Sequence, residues 1–309
     1  MHVGSEAPLS KANTTFCLDL FRKLSDNDNT ANVFFSPFSI SSALAMVMLG
    51  ARGNTATQIS EVHDTWQDGC LKTQDCQDVH TSFTQLLTEF NKADAPYALS
   101  VANRLYGEQS YQFVEVDTKP VKMMNKTADF PLASIPEANC QILEMPYKGK
   151  ELSMLIFLPN EIEDDTTGLE KLEKQLTYEK FVEWTRPDMM SEVEVDVKLP
   201  QFKLEETYDL KDVLKNMGMV DAFDDKKSDF SGMSGTKDLI LSEVIHKTHV
   251  EVNEEGTEAA AATGACVRLL SGRMYFNLAH FIADHPFLFF IRHNTTMSVL
   301  FAGRFCSPV

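Results

Sequence analysis

The sequence predicts an α+β fold with a largely antiparallel sheet, and three observations lead to this prediction. Apolar residues at helical spacing dominate the N-terminal third of the chain. Short apolar runs and period-two alternation, which are typical of strands, dominate the rest. Helical and strand patterns do not alternate regularly, so the order of the elements does not indicate a parallel α/β sheet.

The first predicted helix has its apolar residues at i, i+3, i+4 and i+7 spacing, namely Cys17, Leu20, Phe21 and Leu24. We expect Asn13 or Thr14 to cap its N-terminus, because both side chains accept hydrogen bonds from backbone N–H groups.

A second helix is predicted to open at Ser36 and Pro37, since serine caps a helix and proline suits its first position. Its body is apolar on most sides, which indicates burial, and Gly50 and Gly53 are expected to end it. A third helix is indicated by a further amphipathic set, namely Val79, Phe83, Leu86, Leu87 and Phe90.

Strand patterns occupy the remaining chain. Residues 97–106 and 152–158 are predicted strands, and 193–199 and 244–252 show period-two alternation. A helix is predicted from Tyr208 to Met217. The apolar runs 287–291 and 298–305 predict a C-terminal hairpin.

Composition excludes several classes of function. The 309 residues are 43% hydrophobic and 24% charged, an ordinary globular balance. The net charge of −17 argues against nucleic acid or an anionic membrane as the main partner, because phosphate binding relies on lysine and arginine. No apolar run reaches the roughly 18–20 residues of a membrane span. The N-terminus lacks the pattern of a cleaved leader, so the cytoplasm is the expected location.

A search for catalytic and cofactor motifs finds none, so we expect neither an enzyme nor a cofactor. The sequence has no phosphate-binding glycine loop and no Gly-x-Ser-x-Gly motif. His246 and His249 fall on opposite faces of a predicted strand, which disfavours a metal site. The six cysteines are scattered and are predicted to be free thiols.

Residues 254–265, with the sequence EEGTEAAAATGA, are unusual because they combine tiny side chains with a position directly after a predicted strand. One interpretation is a capped helix, since alanine is the best helix former. The other is a segment that can enter a sheet as a new strand. On period two one face carries nothing larger than threonine, namely Thr257, Ala259, Ala261 and Thr263. Such a face would pass above a packed core without overpacking it.

Several segments together resemble the serpin family, in its ovalbumin-type intracellular branch (clade B). They are NVFFSPFSISSALA (32–45), LGARGNTA (49–56), ANRLYG (102–107), ELSM (151–154), VEVNEEGTEAAAA (250–262), DHPFLFFIR (284–292) and GRF (303–305). All occur in the family's order, from about residue 11 to the C-terminus. The resemblance implies a single serpin domain over 1–309, with large antiparallel sheets, surrounding helices and an exposed reactive-centre loop at about 254–280.

The resemblance also implies a suicide inhibitor of serine proteases, whose cut loop inserts into a sheet. It assigns the hinge to Glu254, Glu255, Gly256, Thr257, Glu258, Ala259, Ala260, Ala261 and Ala262. It assigns Ser36, Pro37, Ser39 and His246 to a structural region of the kind called the shutter. It implies no catalytic residues and no metal.

The family's spacing from the hinge glycine, Gly256, places the reactive bond at Leu270–Ser271. Leucine there favours elastase- or chymotrypsin-like targets. Arg268 or Arg273 would instead favour trypsin-like enzymes. The acidic charge argues against activation by heparin.

A central block of the family pattern is missing, because Phe113 runs directly into Val114 and a segment that belongs well downstream. The missing part includes a strand that normally flanks the insertion site. Two functions therefore remain: a working inhibitor, or a non-inhibitory remnant or splice form that is cleaved as a substrate or only binds partners. We expect a monomer in the cytoplasm. Aggregation or swapping through an open sheet edge, and release by an unconventional route, are the alternatives.

Overall fold

A computed structural model of the chain describes residues 8–26, 28–62, 88, 121–160, 167–235, 237, 239–252 and 278–307. The helices within these residues are α1 (Pro8–Ser25), α2 (Pro37–Gly50), α3 (Gly53–Glu61), α4 (Glu170–Gln175), α5 (Tyr178–Trp184), α6 (Lys211–Asn216) and α7 (Ser231–Ser234). The strands are β1 (Val33–Phe35), β2 (Met123–Ile135), β3 (Cys140–Pro146), β4 (Leu152–Pro159), β5 (Ser191–Pro200), β6 (Phe202–Asp209), β7 (Ile245–Val252), β8 (Ala279–Ile282), β9 (Phe287–His293) and β10 (Ser298–Phe305).

The large sheet has eight strands in the order β1-β10-β9-β4-β3-β2-β5-β8, and all its pairs are antiparallel except β5–β8. Strands β4 and β9 are neighbours in its interior, and every residue of both is buried. Their nearly continuous apolar sequences suit strands that are covered on both faces. The α+β class, the buried strand at 152–158, the alternating strands and the C-terminal hairpin are all confirmed.

Two hydrophobic clusters cover opposite faces of this sheet. One packs α1 and α2 against it through residues such as Phe16, Leu20 and Leu44. The other packs the separate two-stranded sheet, β6–β7, against it. The ring of Phe202 on β6 lies 4.8 Å from that of Phe305 and 5.5 Å from that of Phe289. The two-stranded sheet is therefore anchored to the large one by aromatic packing.

Helix α1 is confirmed, but its predicted cap is wrong. The helix begins at Pro8, so Asn13 and Thr14 lie inside it and are buried. The Asn13 side chain instead donates to the Val299 carbonyl oxygen, at 2.8 Å, and accepts from the Ser41 hydroxyl. A long-range partner for the amide therefore replaces the local capping bond that the sequence suggested.

Helix α2 starts as predicted, with Ser36 as its cap and Pro37 at its first position. It ends at Gly50, as predicted, whereas Gly53 opens α3 instead of ending α2. Gly53 has a φ of +54°, which glycine adopts at little cost, and the chain uses it to turn between the two helices.

The helix predicted from Tyr208 to Met217 is wrong at its start. Tyr208 lies in β6, which continues to Asp209, and the helix runs only over α6. The reason is pairing: Tyr208 stands opposite His246 in the antiparallel β6–β7 ladder, so tertiary contacts override a local helical pattern.

The predicted helix around 79–90 and the predicted strand at 97–106 lie outside the described residues, apart from Thr88, which is helical. Within the part of the chain that is described, no helix has the length and apolar character needed to cross a membrane.

Candidate functional site

The two ends of the predicted reactive-centre loop are anchored on different sheets. Strand β7 ends at Val252, and β8 begins at Ala279 and pairs in parallel with β5, with Val195 opposite Ala279. Residues 253–277 between these anchors lie outside the described residues. So do all nine predicted hinge residues and the predicted reactive-bond residues, namely Arg268, Leu270, Ser271 and Arg273.

Strand β7, which leads into this loop, pairs along its whole length with β6, from Ile245 opposite Asp209 to Val252 opposite Phe202. Among the described residues no strand pairs with its other edge. Its side chains alternate: His246 is buried, whereas His249 is exposed. The prediction that these two histidines lie on opposite faces is therefore confirmed, and they cannot share a metal ion.

The four predicted shutter residues lie together, where α2 begins beneath β7. The Ser36 hydroxyl accepts from the Ser39 N–H, at 3.2 Å, and donates to the Leu300 carbonyl oxygen, at 2.8 Å. Pro37 occupies the first helical position. The single side chain of Ser36 thus caps α2 and ties it to β10.

His246 completes this cluster from the two-stranded sheet. Its Nε2 atom accepts a hydrogen bond from the Ser36 backbone N–H, at 2.9 Å. An accepting ring nitrogen must be unprotonated, and burial lowers the pKa of His246 to about 4. The imidazole is therefore neutral at physiological pH, and it serves as a fixed acceptor instead of a general base.

Two further contacts join β6 and β7 to the free edge of β1. The Phe34 N–H donates to the Tyr208 hydroxyl, at 3.1 Å, and the Thr248 hydroxyl donates to the Phe34 carbonyl oxygen, at 2.7 Å. With the Ser36–His246 bond, these contacts satisfy successive backbone groups along that edge. Sequence reasoning missed Tyr208 and Thr248 as parts of this site. The available signal was the presence of two polar residues, His246 and Thr248, on the inward face of β7.

A cavity of about 440 Å³ lies beside the C-terminal end of β7. Its lining includes Glu251 and Val252 of β7 and Phe130, Met145 and Met154 of the large sheet. The cavity therefore sits at the point where the chain leaves the sheet for the loop.

In the described part of the chain, no group of three or more histidine, cysteine or acidic side chains is arranged to hold a metal ion. The cysteines described there, Cys17, Cys140 and Cys306, are free thiols, as predicted. Burial raises the pKa of each of them, to about 12 for Cys140 and Cys306, so none is an activated nucleophile.

The family model described as serpin (serine protease inhibitor) matches residues 11–116 and 111–308. The leukocyte elastase inhibitor of Equus caballus is 41% identical, and the alignment covers 97% of this chain and 99% of that protein. Serpin B6 of Pongo abelii is 43% identical with the same coverage.

Solved structures agree with these sequence relatives. Maspin superimposes with a TM-score of 0.76 at 30% identity, covering 97% of this chain and 98% of its own. A cleaved, loop-inserted ovalbumin has a TM-score of 0.69 at 26% identity, covering 97% of this chain and all of its own.

The alignment with the horse protein extends over 387 positions, whereas this chain has 309 residues. At least 78 aligned positions (387 − 309) therefore have no counterpart here. Even so, the family model matches nearly the whole chain, and the order of its segments is kept. The chain belongs to the serpin family, in the ovalbumin-type branch (clade B) to which its relatives assign it.

Proposed function

We propose that the chain inhibits serine proteases as a suicide substrate. The protease nucleophile attacks the carbonyl carbon of the reactive residue, and an acyl-enzyme forms as the new amino terminus leaves. The severed segment then adds to β7 as a new strand and carries the bound enzyme with it. The observation that supports this proposal best is the position of β7. It runs directly into the loop, and no described strand occupies its outer edge.

The composition of residues 254–263 suits this addition. Their small face, from Thr257 to Thr263, would lie beside β7 and over the apolar residues that the large sheet presents to β6 and β7. Small side chains fit over a packed core without steric cost. Gly256 supplies the backbone freedom that a pivot needs.

We place the reactive bond at Leu270–Ser271, with cleavage after Arg268 or Arg273 as the alternatives. Relatives named leukocyte elastase inhibitor support elastase-like enzymes as targets. The acidic charge supports neither heparin nor nucleic acid as a partner. The ovalbumin-type pattern supports a cytoplasmic location, with unconventional release as the alternative.

The second candidate function is a non-inhibitory serpin that is cleaved as a substrate or only binds partners. The missing positions favour it, and we infer that they lie together near residues 113–114, where the two family-model matches overlap. A strand added to β7 would then be paired on one side only. One-sided pairing yields fewer ladder hydrogen bonds, so insertion could be too slow to trap the acyl-enzyme before it hydrolyses.

The two candidates are separated by incubating the protein with elastase-, chymotrypsin- and trypsin-like proteases and running a denaturing gel. An inhibitor gives a covalent band at the summed mass of protein and protease less the C-terminal fragment released by cleavage, whereas a substrate gives clipped chain alone. Mass spectrometry of the released fragment identifies the cut bond. If clipping also leaves thermal resistance unchanged, insertion does not occur and the first proposal fails.

Two loop variants test the mechanism further. Thr257→Arg places a long charged side chain on the inserting face, and Ala259→Pro removes a ladder donor. We expect either change to turn inhibitor into substrate. Glu258→Gln, on the opposite face of the same segment, is the matched control and should keep the covalent band.

A further inference from the structure

The cavity beside the end of β7 arises from the topology of the large sheet. Strands β2 and β3 pair over Leu132–Ile135 and Cys140–Leu143. Outside these stretches β2 continues alongside β5, and β3 continues alongside β4. The two strands therefore part, and residues of both just past this point, within 126–131 and 144–147, line the cavity. The space is thus set by strand pairing and not by the position of one loose side chain.

Part of the lining is apolar and buried. Phe130, Met145, Met154 and Val252 come from β2, β3, β4 and β7, and all four belong to the hydrophobic cluster between the two sheets. Methionine is unbranched and polarisable, so its side chain adapts to irregular shapes and to aromatic rings. This part of the lining can therefore close around an apolar molecule.

The polar part of the lining is already hydrogen-bonded within the protein. The buried Arg292 side chain donates to the Glu144 carboxylate and to the Asn294 side-chain oxygen, both at 3.3 Å. The Asn294 amide nitrogen donates to the Lys150 carbonyl oxygen, at 2.9 Å, and to the Ser153 hydroxyl, at 2.8 Å. A ligand that needed a polar anchor here would compete with these existing bonds.

The charges around the cavity balance. Glu144 forms an ion pair with Arg292, and Glu251 stands opposite Lys203 in the β6–β7 ladder. The four other charged residues of the lining are two lysines and two acids, namely Lys126, Lys150, Asp129 and Glu192. The lining therefore selects neither a cation nor an anion, whereas moving any charged group into an apolar site costs free energy.

The size of the cavity suits a small molecule. Its volume of about 440 Å³ falls within the range of about 300–1,000 Å³ that is typical of ligand pockets. An apolar cavity of about 150 Å³ holds one benzene molecule, so this volume corresponds to roughly three rings.

We propose that this cavity binds an uncharged, mainly apolar small molecule of about two or three rings, held by contacts with Phe130, Met145 and Met154. The affinity comes from apolar surface that both the ligand and the lining remove from water. The proposal does not depend on protease inhibition, because binding requires neither a protease nor a cut loop.

A set of matched dyes tests the predicted chemistry of the ligand. Phenylnaphthylamine is uncharged, has three aromatic rings and fluoresces strongly in apolar surroundings. We expect its fluorescence to saturate at one dye per chain. The same ring system carrying a sulfonate or a trimethylammonium group should bind at least about tenfold more weakly. High salt screens the net charge of the protein, so that this comparison reports on the cavity alone.

A pair of variants on β2 tests the location. Ala128 lines the cavity, whereas Thr127, the next residue of the strand, is exposed and points to the other face. Ala128→Phe fills the cavity and should weaken dye binding about tenfold or more. Thr127→Phe adds the same ring outside the cavity and should leave the affinity unchanged. Ala128→Leu is a milder filling that serves if the phenylalanine disturbs folding.

Thermal unfolding gives a second readout on the same samples. A ligand that binds only the folded state raises the melting temperature, so the uncharged dye should raise it for the unaltered protein and for Thr127→Phe, and much less for Ala128→Leu. The proposal is overturned if the uncharged dye shows no saturable binding, if its charged relatives bind as tightly, or if the folded Ala128 variants bind it as the unaltered protein does.

Discussion

The two sheets of this molecule treat their edges in opposite ways. At one end of the eight-stranded sheet, β1 presents three residues, and side chains from β6 and β7 satisfy its backbone groups. In the two-stranded sheet, β7 is eight residues long, and its edge away from β6 is paired with no described strand. An edge whose backbone groups are bonded to side chains cannot accept another strand. An edge without such bonds can accept one, and charged residues on its exposed face limit unspecific aggregation.

The difference suggests that the large sheet is the structural framework of the molecule and that the two-stranded sheet carries the function. The large sheet is stabilised by buried apolar side chains on both faces and by a buried arginine, Arg304, on β10. The small sheet is held to it by aromatic packing and by three hydrogen bonds to the β1 edge and the start of α2. Substitutions in the large sheet should therefore lower the free energy of unfolding of the whole molecule. Substitutions at the junction, meaning the contacts of β6 and β7 with β1 and α2, should lower it less and should make β7 more mobile.

The largest effect is expected at Arg304, whose side chain is fully buried on β10. Its guanidinium donates to the carbonyl oxygens of Ala31 and Asp28, at 2.9 and 2.7 Å, to the Ser25 hydroxyl, and to Glu173, at 3.0 Å. Arg304→Met removes the cationic partner of the nearly buried Glu173 carboxylate and leaves four acceptors without this donor. We expect the free energy of unfolding to fall by about 3–5 kcal/mol, measured by urea denaturation at a fixed low protein concentration.

The control for Arg304 is the double variant Arg304→Met/Glu173→Met, which removes both charges. It should be more stable than Arg304→Met alone, because no nearly buried negative charge remains after its cationic partner is lost. A single variant that loses less than about 1 kcal/mol would show that the arginine does not hold the framework.

The next effect concerns the junction and depends on pH. The folded pKa of His246 is lowered to about 4, below the value of about 6.5 expected in the unfolded chain. The unfolded state therefore takes up a proton first as the pH falls. This contribution to stability is complete above pH 6.5 and is lost between pH 6.5 and 4, to a total of about 3 kcal/mol.

His246→Gln is the matched variant for that measurement, since its amide oxygen can accept from the Ser36 N–H without titrating. In urea unfolding at pH 7 and pH 4, the free energy of unfolding should fall less on acidification for the variant than for the unaltered protein. The difference between the two proteins removes the contribution of other titrating carboxylates. Equal losses would mean that His246 is not the titrating group.

The contrast between the sheets also explains how much the sequence could predict. The start of α2 was predictable because Ser36 and Pro37 act on their own helix, and β4 and β9 were predictable from apolar runs. Arg304 was not, since its partners lie in segments far apart in the chain. The local pattern predicts a helix at Tyr208, because the contacts that hold it in a strand are long-range, such as that with Phe34, 174 positions away. The reactive loop stays a prediction, because it lies outside the described residues.

The smallest effect is expected from the two side chains that hydrogen-bond to the backbone of Phe34 in β1. One of them accepts from the N–H and the other donates to the carbonyl oxygen, so their loss can be compared. Tyr208→Phe leaves the Phe34 N–H without its 3.1 Å acceptor, and Thr248→Val leaves the Phe34 carbonyl oxygen without its 2.7 Å donor. A buried N–H has one bond to make, whereas a carbonyl oxygen has two lone pairs and tolerates partial loss better. We expect about 1–2 kcal/mol for Tyr208→Phe and about 1 kcal/mol or less for Thr248→Val in urea unfolding.

Amide hydrogen exchange at Phe34 extends this test to the edge itself. Tyr208→Phe should speed exchange there, because the freed N–H must find water, whereas Thr248→Val should change it much less. If Thr248→Val were the more damaging of the two, the hydroxyl would matter for packing on β7 and not for sealing β1. Of the side-chain contacts that are proposed to block the edge of β1, only the Tyr208 and His246 bonds would then be supported.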